Sequence, residues 1–390
     1  MRRRRFITLT AASGAFAGLG DLGFLARLPV VRDEQAALDS PAVRLRPEIE
    51  PLVRLLEETP RERLLEEVGM RIRRGLTYRE VLAALMLAGV RSIQPRPVGF
   101  QFHAVLVVNS AHLASLASPE SDRWLPIFWA LDQFKVSQAA DVRQGDWTLG
   151  AVRESAVPSR EKARQAFIDS MDRWDEGAAD GAIAGVARTA TREEIVEILG
   201  RYAARDFRDI GHKAIYVANS VRTLDVIGWQ HAEPVLRSLA LALLYREGAS
   251  GNPAESDFSA DRPYRHNREA LTRVRADWLD GRPNADAVSE LLQTFRGASS
   301  QAASDAALAV INRGVSPRSV FEACFASSAE LMMRRAGILA LHATTSTNAI
   351  HYLWQRCRDD RTRRLLLLQN AAFLPLFRGS TSQGLSLIHI

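Results

Sequence analysis

Apolar positions recur with helical spacing along most of this chain. Segment after segment places apolar side chains at the i, i+3, i+4 and i+7 positions that form one face of a helix. Alternation of apolar and polar residues over strand lengths is missing, and hairpin signals are scarce. The pattern therefore predicts an all-α fold. The predicted helices span residues 40–67, 77–89, 160–174, 191–204, 234–245, 265–278 and 285–295.

The chain is longer than one compact core usually supports. It has 390 residues, whereas single cores stop growing near roughly 250–300 residues. Breaks rich in glycine or proline fall at 95–97, 145–158, 248–263 and 297–304. This length indicates either two domains or a fold that grows by repetition.

Self-comparison of the sequence favours repetition. Residues 74–81 resemble residues 313–320 at an offset of 239, and the segment from His103 to His112 resembles the segment from His342 to His351 at the same offset. A third copy is indicated by residues 191–195 and 214–220, with a shift of four residues between its two blocks. One short match could arise by chance, but a shared offset over 38 positions makes chance a poor explanation.

Each copy is predicted to contain three helices, which we name A, B and C. Helix A begins with a capping residue: Thr77 and Thr191 each precede a glutamate at capping-box spacing, and Ser316 precedes a proline. Helix B, at 102–116 and 341–354, is apolar on all sides and is expected to be buried. Helix C follows at 124–135, 234–245 and 361–377. The sequence thus predicts a single domain over residues 43–379, a large helical bundle built from three diverged A–B–C repeats.

The first residues have the layout of an export signal. Four arginines are followed by a modestly apolar stretch, and Arg3, Arg4 and Phe6 resemble the twin-arginine pattern. We expect residues 1–42 to be an export signal and linker that engages the twin-arginine machinery, with a periplasmic or secreted mature protein and no stable membrane span after processing. A basic amphipathic helix on a membrane surface is the alternative. Residues 380–390 are expected to be an artefactual tail, because their last five resemble translated sequencing adapter.

Composition narrows the function mainly by exclusion. The net charge of +6 is concentrated in the first 31 residues, which hold five arginines and one acidic residue, so no nucleic-acid surface is predicted. Two cysteines exclude a disulfide scaffold and a four-cysteine zinc site. Glycine-rich nucleotide loops and a nucleophile elbow are also missing.

Polar residues in the apolar B helices are the candidate chemistry. Burial of His or Asn without a partner costs roughly 1–3 kcal/mol, so these groups must be satisfied by the fold or by a site. Asn109 and His112 share a helix face, as do Asn348 and His351, and as do His212 and Asn219. We therefore expect these three pairs to form one shared centre, with the three Asn residues in equivalent buried positions. His103 and His112 face opposite sides if their helix is continuous. The predicted catalytic residues are His112, His351 and His212, and the predicted substrate-binding residues are Asn109, Asn219, Asn348, His103, His342 and His231.

Three interpretations of this polar set stay open. The Asn residues could simply cap neighbouring carbonyl groups or fix helix register. They could instead line a ligand pocket, or the His residues could hold a metal ion. The Glu-x-x-His and His-Glu-x-x-His motifs of metal sites are missing, although Asp209 lies three residues before His212. We therefore predict an organic-ligand pocket and no metal site, and the cofactor is unknown.

Short segments of the chain resemble the questin oxidase-like family. They are Phe102-His103 to Leu116, Gly211-His212 to Leu244, and His342-Ala343-Thr344-Thr345-Ser346 to His351, within residues 70–378. The chain also resembles exported bacterial proteins of unknown function that share Gly-His-Lys-Ala and Trp-Gln-His-Ala-Glu-Pro segments. The family resemblance implies a helical oxidoreductase that uses reduced nicotinamide and oxygen on an aromatic ketone. An exported protein departs from this pattern, because the periplasm does not supply reduced nicotinamide.

Two functions follow as expectations. One is an oxidoreductase, oxygenase-like, with an aromatic or other organic substrate in a pocket lined by His and Asn. In that case His112 and His351 are general acid–base candidates and the Asn amides orient the substrate. The alternative is a non-catalytic exported scaffold or binding protein.

Overall fold

The fold is all-α, as the sequence predicts. The computed structural model describes residues 49–246 and 257–382, with side chains through residue 378. Within these ranges the regular structure consists of seventeen α-helices and short 3-10 turns, without a strand; Arg282 and Val315 form an isolated β-bridge. The predicted export segment and residues 383–390 of the predicted tail lie outside the described ranges.

The helices are numbered in chain order. The first nine are α1 (Ile49–Glu58), α2 (Arg61–Arg73), α3 (Tyr78–Ser92), α4 (His103–Leu106), α5 (Val108–Ala117), α6 (Trp124–Gln144), α7 (Arg160–Arg173), α8 (Glu176–Thr189) and α9 (Arg192–Ala203). The other eight are α10 (His212–Ile227), α11 (Ala232–Leu243), α12 (Arg262–Ala270), α13 (Ala285–Gly297), α14 (Ser300–Asn312), α15 (Pro317–Arg334), α16 (Ile338–Arg356) and α17 (Asp360–Ser382).

The described chain divides into two compact units, and each unit is assembled from several segments. Unit 1 contains residues 49–95, Gln101–Ala151 and Asn219–Ser238. Unit 2 contains Arg96–Phe100, Val152–Ala218 and the described residues from Leu239 onward. The single repeat-built domain that the sequence predicts over 43–379 stays a prediction.

Unit 1 is built around the long helix α6. Helices α2, α3 and α5 pack against it, and α1 packs on α3. The Arg61 guanidinium forms two hydrogen bonds with the Asp132 carboxylate, at 2.7 and 2.8 Å, which join α2 to α6. Lys135 donates to the carbonyl oxygens of Leu56 and Glu57 at the end of α1, where a cation is favourable.

Unit 2 has its apolar core around the last helix. Helix α17 packs on α14, α15 and α16, and α7 packs against α8. The core includes Trp278, Leu291, Phe295, Phe321 and Leu368, all of them buried. Burial of large side chains of this kind contributes about 1.5–3 kcal/mol for each.

The capped starts of the A helices are confirmed. Thr77 with Glu80, and Thr191 with Glu194, form complete capping boxes at the starts of α3 and α9. The Ser316 hydroxyl accepts from the Arg318 amide at the start of α15, where Pro317 is the first helical residue. The threefold repeat itself stays a prediction.

The first B helix is not continuous, contrary to the geometry assumed from the sequence. It is divided at Val107 into α4 and α5, with a bend of 47°. The Asn219 side-chain amide donates to the Leu106 carbonyl oxygen at 3.0 Å, a place where a straight helix has its own backbone bond. The expectation that His103 and His112 lie on opposite faces therefore loses its basis.

Some helix boundaries also differ from the prediction. The helix predicted over 40–67 is divided before Arg61 by Pro60, which lacks the amide hydrogen a helix interior needs. The helix predicted over 265–278 ends at Ala270 and continues as a 3-10 turn. Helix α8 was not predicted. It is rich in alanine and glycine, so its apolar and polar faces differ too little to give a clear helical pattern in the sequence.

Helix length also bears on the predicted lack of a membrane span. Among the described residues, no single helix is both long and apolar enough to cross a bilayer, although the bent pair Phe100–Leu106 and Val108–Ala117 passes a test of length and composition.

Candidate functional site

The turn before α10 has an unusual backbone. Asp209, Ile210 and Gly211 have φ angles of 53°, 45° and 82°, all in the left-handed region. This region is disfavoured for a side chain branched at Cβ, such as that of Ile210. Strained backbone of this kind persists only where the surroundings hold it, and it is concentrated at functional sites.

The strained turn positions the ring of His212. The His212 Nδ1 atom lies 2.5 Å from the Asp209 carbonyl oxygen. The backbone at Gly99 also lies close to the ring, since a Cβ there would be 3.3 Å from His212 Cε1. A Cβ at Gly211 would be 2.8 Å from the Ser346 Cβ, so only glycine allows α16 to approach the turn this closely. His212 is therefore buried, with the backbone of Asp209 and of Gly99 close to its ring.

His342 of α16 meets His212 ring to ring. The two Nε2 atoms are 2.8 Å apart, and the ring planes are tilted by 55°. The His342 Nδ1 atom lies 2.6 Å from the Ile338 carbonyl oxygen, one turn earlier in the helix. Both histidines thus have Nδ1 at a carbonyl and Nε2 directed at the other ring.

This arrangement determines the tautomer of each neutral ring. A carbonyl oxygen has no hydrogen to donate, so each Nδ1 must carry one. The neutral form then has its lone pair on Nε2, and two lone pairs face each other across 2.8 Å. Such a pair is repulsive unless an electrophile, either a proton or a metal ion, binds to it.

Buried charges surround the same turn. Lys213, which follows His212, is 1% exposed and forms a 2.8 Å ion pair with Asp206. Arg208 pairs with Asp261 at 2.5 Å. The Arg205 guanidinium lies 3.7 Å from the ring centroid of Trp174 and donates to the carbonyl oxygens of Met171 and Leu243.

Burial shifts the pKa values of these groups. Removal from water lowers the pKa of Lys213, and the Asp206 carboxylate opposes that shift. Removal from water likewise lowers the pKa of the Arg205 guanidinium. Desolvation raises the pKa of Asp261, against the effect of Arg208. The cluster is therefore costly to bury, and its polar contacts fix the segment that carries His212.

His112 has a different environment, in unit 1. Its Nδ1 atom lies 2.9 Å from the Tyr78 hydroxyl, and both residues are buried. Burial lowers the pKa of His112 and raises the pKa of Tyr78 to about 12. A hydroxyl can donate to a neutral imidazole, so this contact satisfies the histidine without a ligand.

Asn109 and Asn219 lie together in unit 1, as the shared-centre hypothesis requires. The Asn109 amide nitrogen is 3.5 Å from the Asn219 side-chain oxygen, a long contact. Asn219 also donates to the Leu106 carbonyl, as described above. These contacts give both amides a role in holding the break between α4 and α5.

The predicted equivalence of the three Asn residues is wrong. Asn109 is buried and Asn219 is half-buried, but Asn348 is exposed. The buried residues of α16 include His342, Ser346 and Leu353. Asn348 lies on the other face of this continuous helix, whereas the matching segment of unit 1 is broken.

Three predicted site residues remain to be described. His351 is half-buried among the rings of Phe321, Phe325 and Trp354, and burial lowers its pKa. His231 is buried in a 3-10 turn of unit 1, where desolvation lowers its pKa to about 4. His103 is half-buried at the first residue of α4. The catalytic role predicted for His112 and His351 stays a prediction.

Sequence reasoning missed the pairing of His212 with His342 and the buried ions beside it. It grouped His212 with Asn219 because they share a helix face, although the partner of His212 lies 130 residues away in the chain. One signal was present, because the sequence places Asp209 three residues before His212. The structure uses the Asp209 backbone carbonyl for the contact with His212.

Comparisons with protein families, with characterised proteins and with solved structures give no match to this chain.

Proposed function

We propose that this protein is an exported, all-α, metal-dependent oxidoreductase that acts on an aromatic or other organic substrate. In this proposal His212 and His342 are two ligands of a divalent transition-metal ion. The observation that carries it is the 2.8 Å approach of two Nε2 atoms whose Nδ1 atoms both lie at carbonyl oxygens. The metal departs from the sequence-based expectation of no metal site.

The distance between the two nitrogens suits adjacent positions on a metal. Imidazole nitrogens bind such ions at about 2.0–2.1 Å. Two ligands at a right angle are then about 3 Å apart, close to the observed 2.8 Å, whereas a tetrahedral angle requires about 3.4 Å. The ligand atoms of His212 and His342 are within reach of one ion.

The contacts behind the ligands are also those of a metal site. Metal-binding imidazoles commonly donate their other N–H to a carbonyl or carboxylate, which fixes the tautomer and makes the ring more basic. Asp209 and Ile338 provide such carbonyl groups. Two imidazoles leave other coordination positions for further ligands, water or substrate, and the bound metal would supply redox or Lewis-acid chemistry.

Two sequence features support an oxidoreductase. The segments that carry His212 and His342 are among those that resemble the questin oxidase-like family. The twin-arginine route, which the N-terminus is expected to use, exports folded proteins with cofactors already inserted. An oxidation at a metal site in which molecular oxygen accepts the electrons of the substrate also needs no reduced nicotinamide outside the cytoplasm.

A second candidate is an exported binding protein without a metal. In that case the two imidazoles share one proton, and the pair is a cation that could hold an anionic ligand. The short nitrogen–nitrogen distance favours this alternative, because 2.8 Å is also the length of a strong hydrogen bond.

Metal content of the purified mature protein is the direct test. We expect about one transition-metal ion per chain by elemental analysis, and its loss in His342→Ala and in His212→Ala. His112→Ala is the matched control, since it removes a buried imidazole that already has a hydroxyl partner. The control should keep its metal content.

Because metal can be lost during purification, the protein is also refolded with Fe(II), Zn(II) or Cu(II), each in turn, and its metal content is measured again. Wild type without stoichiometric binding of any of these ions would refute the metal and leave the proton-sharing pair. Equal metal content in His342→Ala and wild type would place the ion elsewhere in the chain.

A further inference from the structure

We propose that unit 2 has a second ligand site, a cleft that binds a hydroxylated aromatic carboxylate. The cleft has a volume of about 320 Å³, which is within the range of small-molecule sites. Four arginines line it: Arg164, Arg201, Arg268 and Arg361. It shares no residue with the His212–His342 pair and does not depend on the proposed metal.

The positive charge of this cleft is only partly compensated. Arg201 forms an ion pair with Asp172 at 3.1 Å. Within the described ranges, Arg164, Arg268 and Arg361 form no ion pair. Arg361 is also in the first turn of α17, where a cation is unfavourable for the helix dipole. An anion in the cleft would compensate the charge of the unpaired arginines and offset the unfavourable position of Arg361 at the start of α17.

The two acidic residues that line the cleft already have local partners. The Asp359 carboxylate accepts from the amide and hydroxyl of Thr362 and so caps α17. One oxygen of Glu197, Oε2, accepts from the Arg358 amide at 2.6 Å. These bonds hold the two carboxylates in place within the fold, and their two negative charges leave the four arginines of the lining in excess.

The other Glu197 oxygen specifies a second feature of the ligand. Oε1 is buried and accepts no hydrogen bond from any described residue. A buried acceptor without a donor costs about 1–3 kcal/mol. A ligand hydroxyl could supply the donor, while a ligand carboxylate pairs with the arginines.

The rest of the lining is apolar or aromatic. Ile168, Ile198 and Leu365 contribute aliphatic side chains, and Tyr264 contributes a ring beside Arg268. A flat aromatic body fits such a surface better than an inorganic anion does. Together the three features specify an aromatic ring with one carboxylate and one hydroxyl.

The test uses 6-hydroxy-2-naphthoate as a fluorescent probe with the full-length mature protein. We expect saturable binding, and at least about tenfold weaker binding to Arg268→Gln with Arg361→Gln, because two charge-assisted contacts are lost. The matched control is Arg71→Gln with Arg73→Gln, which removes the same charge from exposed positions of unit 1. Thermal melts should show that all variants are folded.

Three ligand comparisons complete the test. The amide of the probe should bind at least about tenfold more weakly, since it lacks the negative charge. 2-Naphthoate, which lacks the hydroxyl, should also bind more weakly to wild type. That difference should shrink in Glu197→Gln, because a neutral amide is a weaker acceptor than a carboxylate.

Several outcomes would overturn the site. One is a lack of saturable binding up to about 10 mM probe. Another is a loss of probe affinity in the Arg71→Gln, Arg73→Gln control that equals the loss in the cleft variant. A third is equal affinity for the acid and its amide. Binding that His342→Ala abolishes would assign the probe to the histidine pair instead. Inorganic phosphate that competes as strongly as the naphthoate would reduce the site to a simple anion site.

Discussion

Two buried histidines, one in each unit, show how similar residues can have opposite energetic roles. In unit 1, the His112 Nδ1 atom meets the Tyr78 hydroxyl, which can donate to it. In unit 2, the His212 Nδ1 atom meets a carbonyl, and its Nε2 meets the Nε2 of His342. The first histidine is satisfied by the fold, whereas the second has a contact that is favourable only with a bound proton or metal ion.

The backbone is regular around His112 and strained before His212. His112 lies within the regular part of helix α5, five residues after the break at Val107. His212 follows three consecutive left-handed residues and adjoins a buried ion pair. A fold retains costly features of this sort where function requires them. These differences support the proposed role of His212 rather than a functional role for His112.

Removal of the buried lysine beside His212 should have the largest effect on stability. In Lys213→Met, the Asp206 carboxylate is left buried without its cation, which costs about 3–5 kcal/mol. Urea denaturation measures this loss. Arg318→Met, which breaks an exposed pair with Glu322, is the control and should cost less than about 1 kcal/mol.

A double substitution sharpens this result. Lys213→Met with Asp206→Leu removes both charges, so much of the stability should return. If Lys213→Met lowers the free energy of unfolding no more than the Arg318→Met control does, burial of the charges next to His212 is not costly. The energetic difference between the surroundings of His212 and His112 would then be smaller than we infer.

The features that sequence could predict are local. The capping boxes at Thr77 and Thr191 depend on residues three apart, and both were predicted correctly. The division of the first B helix was not, because it depends on Asn219, which lies more than 100 residues from the carbonyl it contacts. The His212–His342 pair depends on long-range packing in the same way.

Acid should destabilise the protein through His231 of unit 1. Desolvation lowers the folded-state pKa of His231 to about 4, below an unfolded value near 6.5. Between these values the unfolded chain binds more protons, so stability is complete above about pH 6.5 and falls as the pH approaches 4. The loss should reach at most about 3 kcal/mol.

Urea denaturation across this pH range measures the effect. His112 has a pKa shifted in the same direction and should add to the slope. His231→Leu should flatten the curve between pH 6.5 and 4, and an unchanged slope in that variant would assign the acid sensitivity to other groups.

The strained turn allows a comparison of two glycines. Gly211→Ala adds a Cβ at a φ of 82° and within 2.8 Å of the Ser346 Cβ, which should cost about 2–3 kcal/mol. Gly75→Ala, at a φ of 105° with open space around it, should cost about 1 kcal/mol. Thermal denaturation separates the two values. Ser346→Gly should partly rescue Gly211→Ala, and equal costs at both glycines would show that α16 does not constrain the turn.

The smallest expected effect belongs to the satisfied histidine. Tyr78→Phe removes the hydroxyl that lies 2.9 Å from His112 Nδ1, and it should cost about 1 kcal/mol because the imidazole nitrogen stays buried. His112→Phe should cost a similar amount, and the double variant should cost less than the sum, since neither polar group is then left alone. Metal content should be unchanged in all three variants. A Tyr78→Phe protein that keeps its stability but loses its metal or its turnover would reverse the comparison, because His112 would then be the functional histidine and its contact with Tyr78 part of the chemistry.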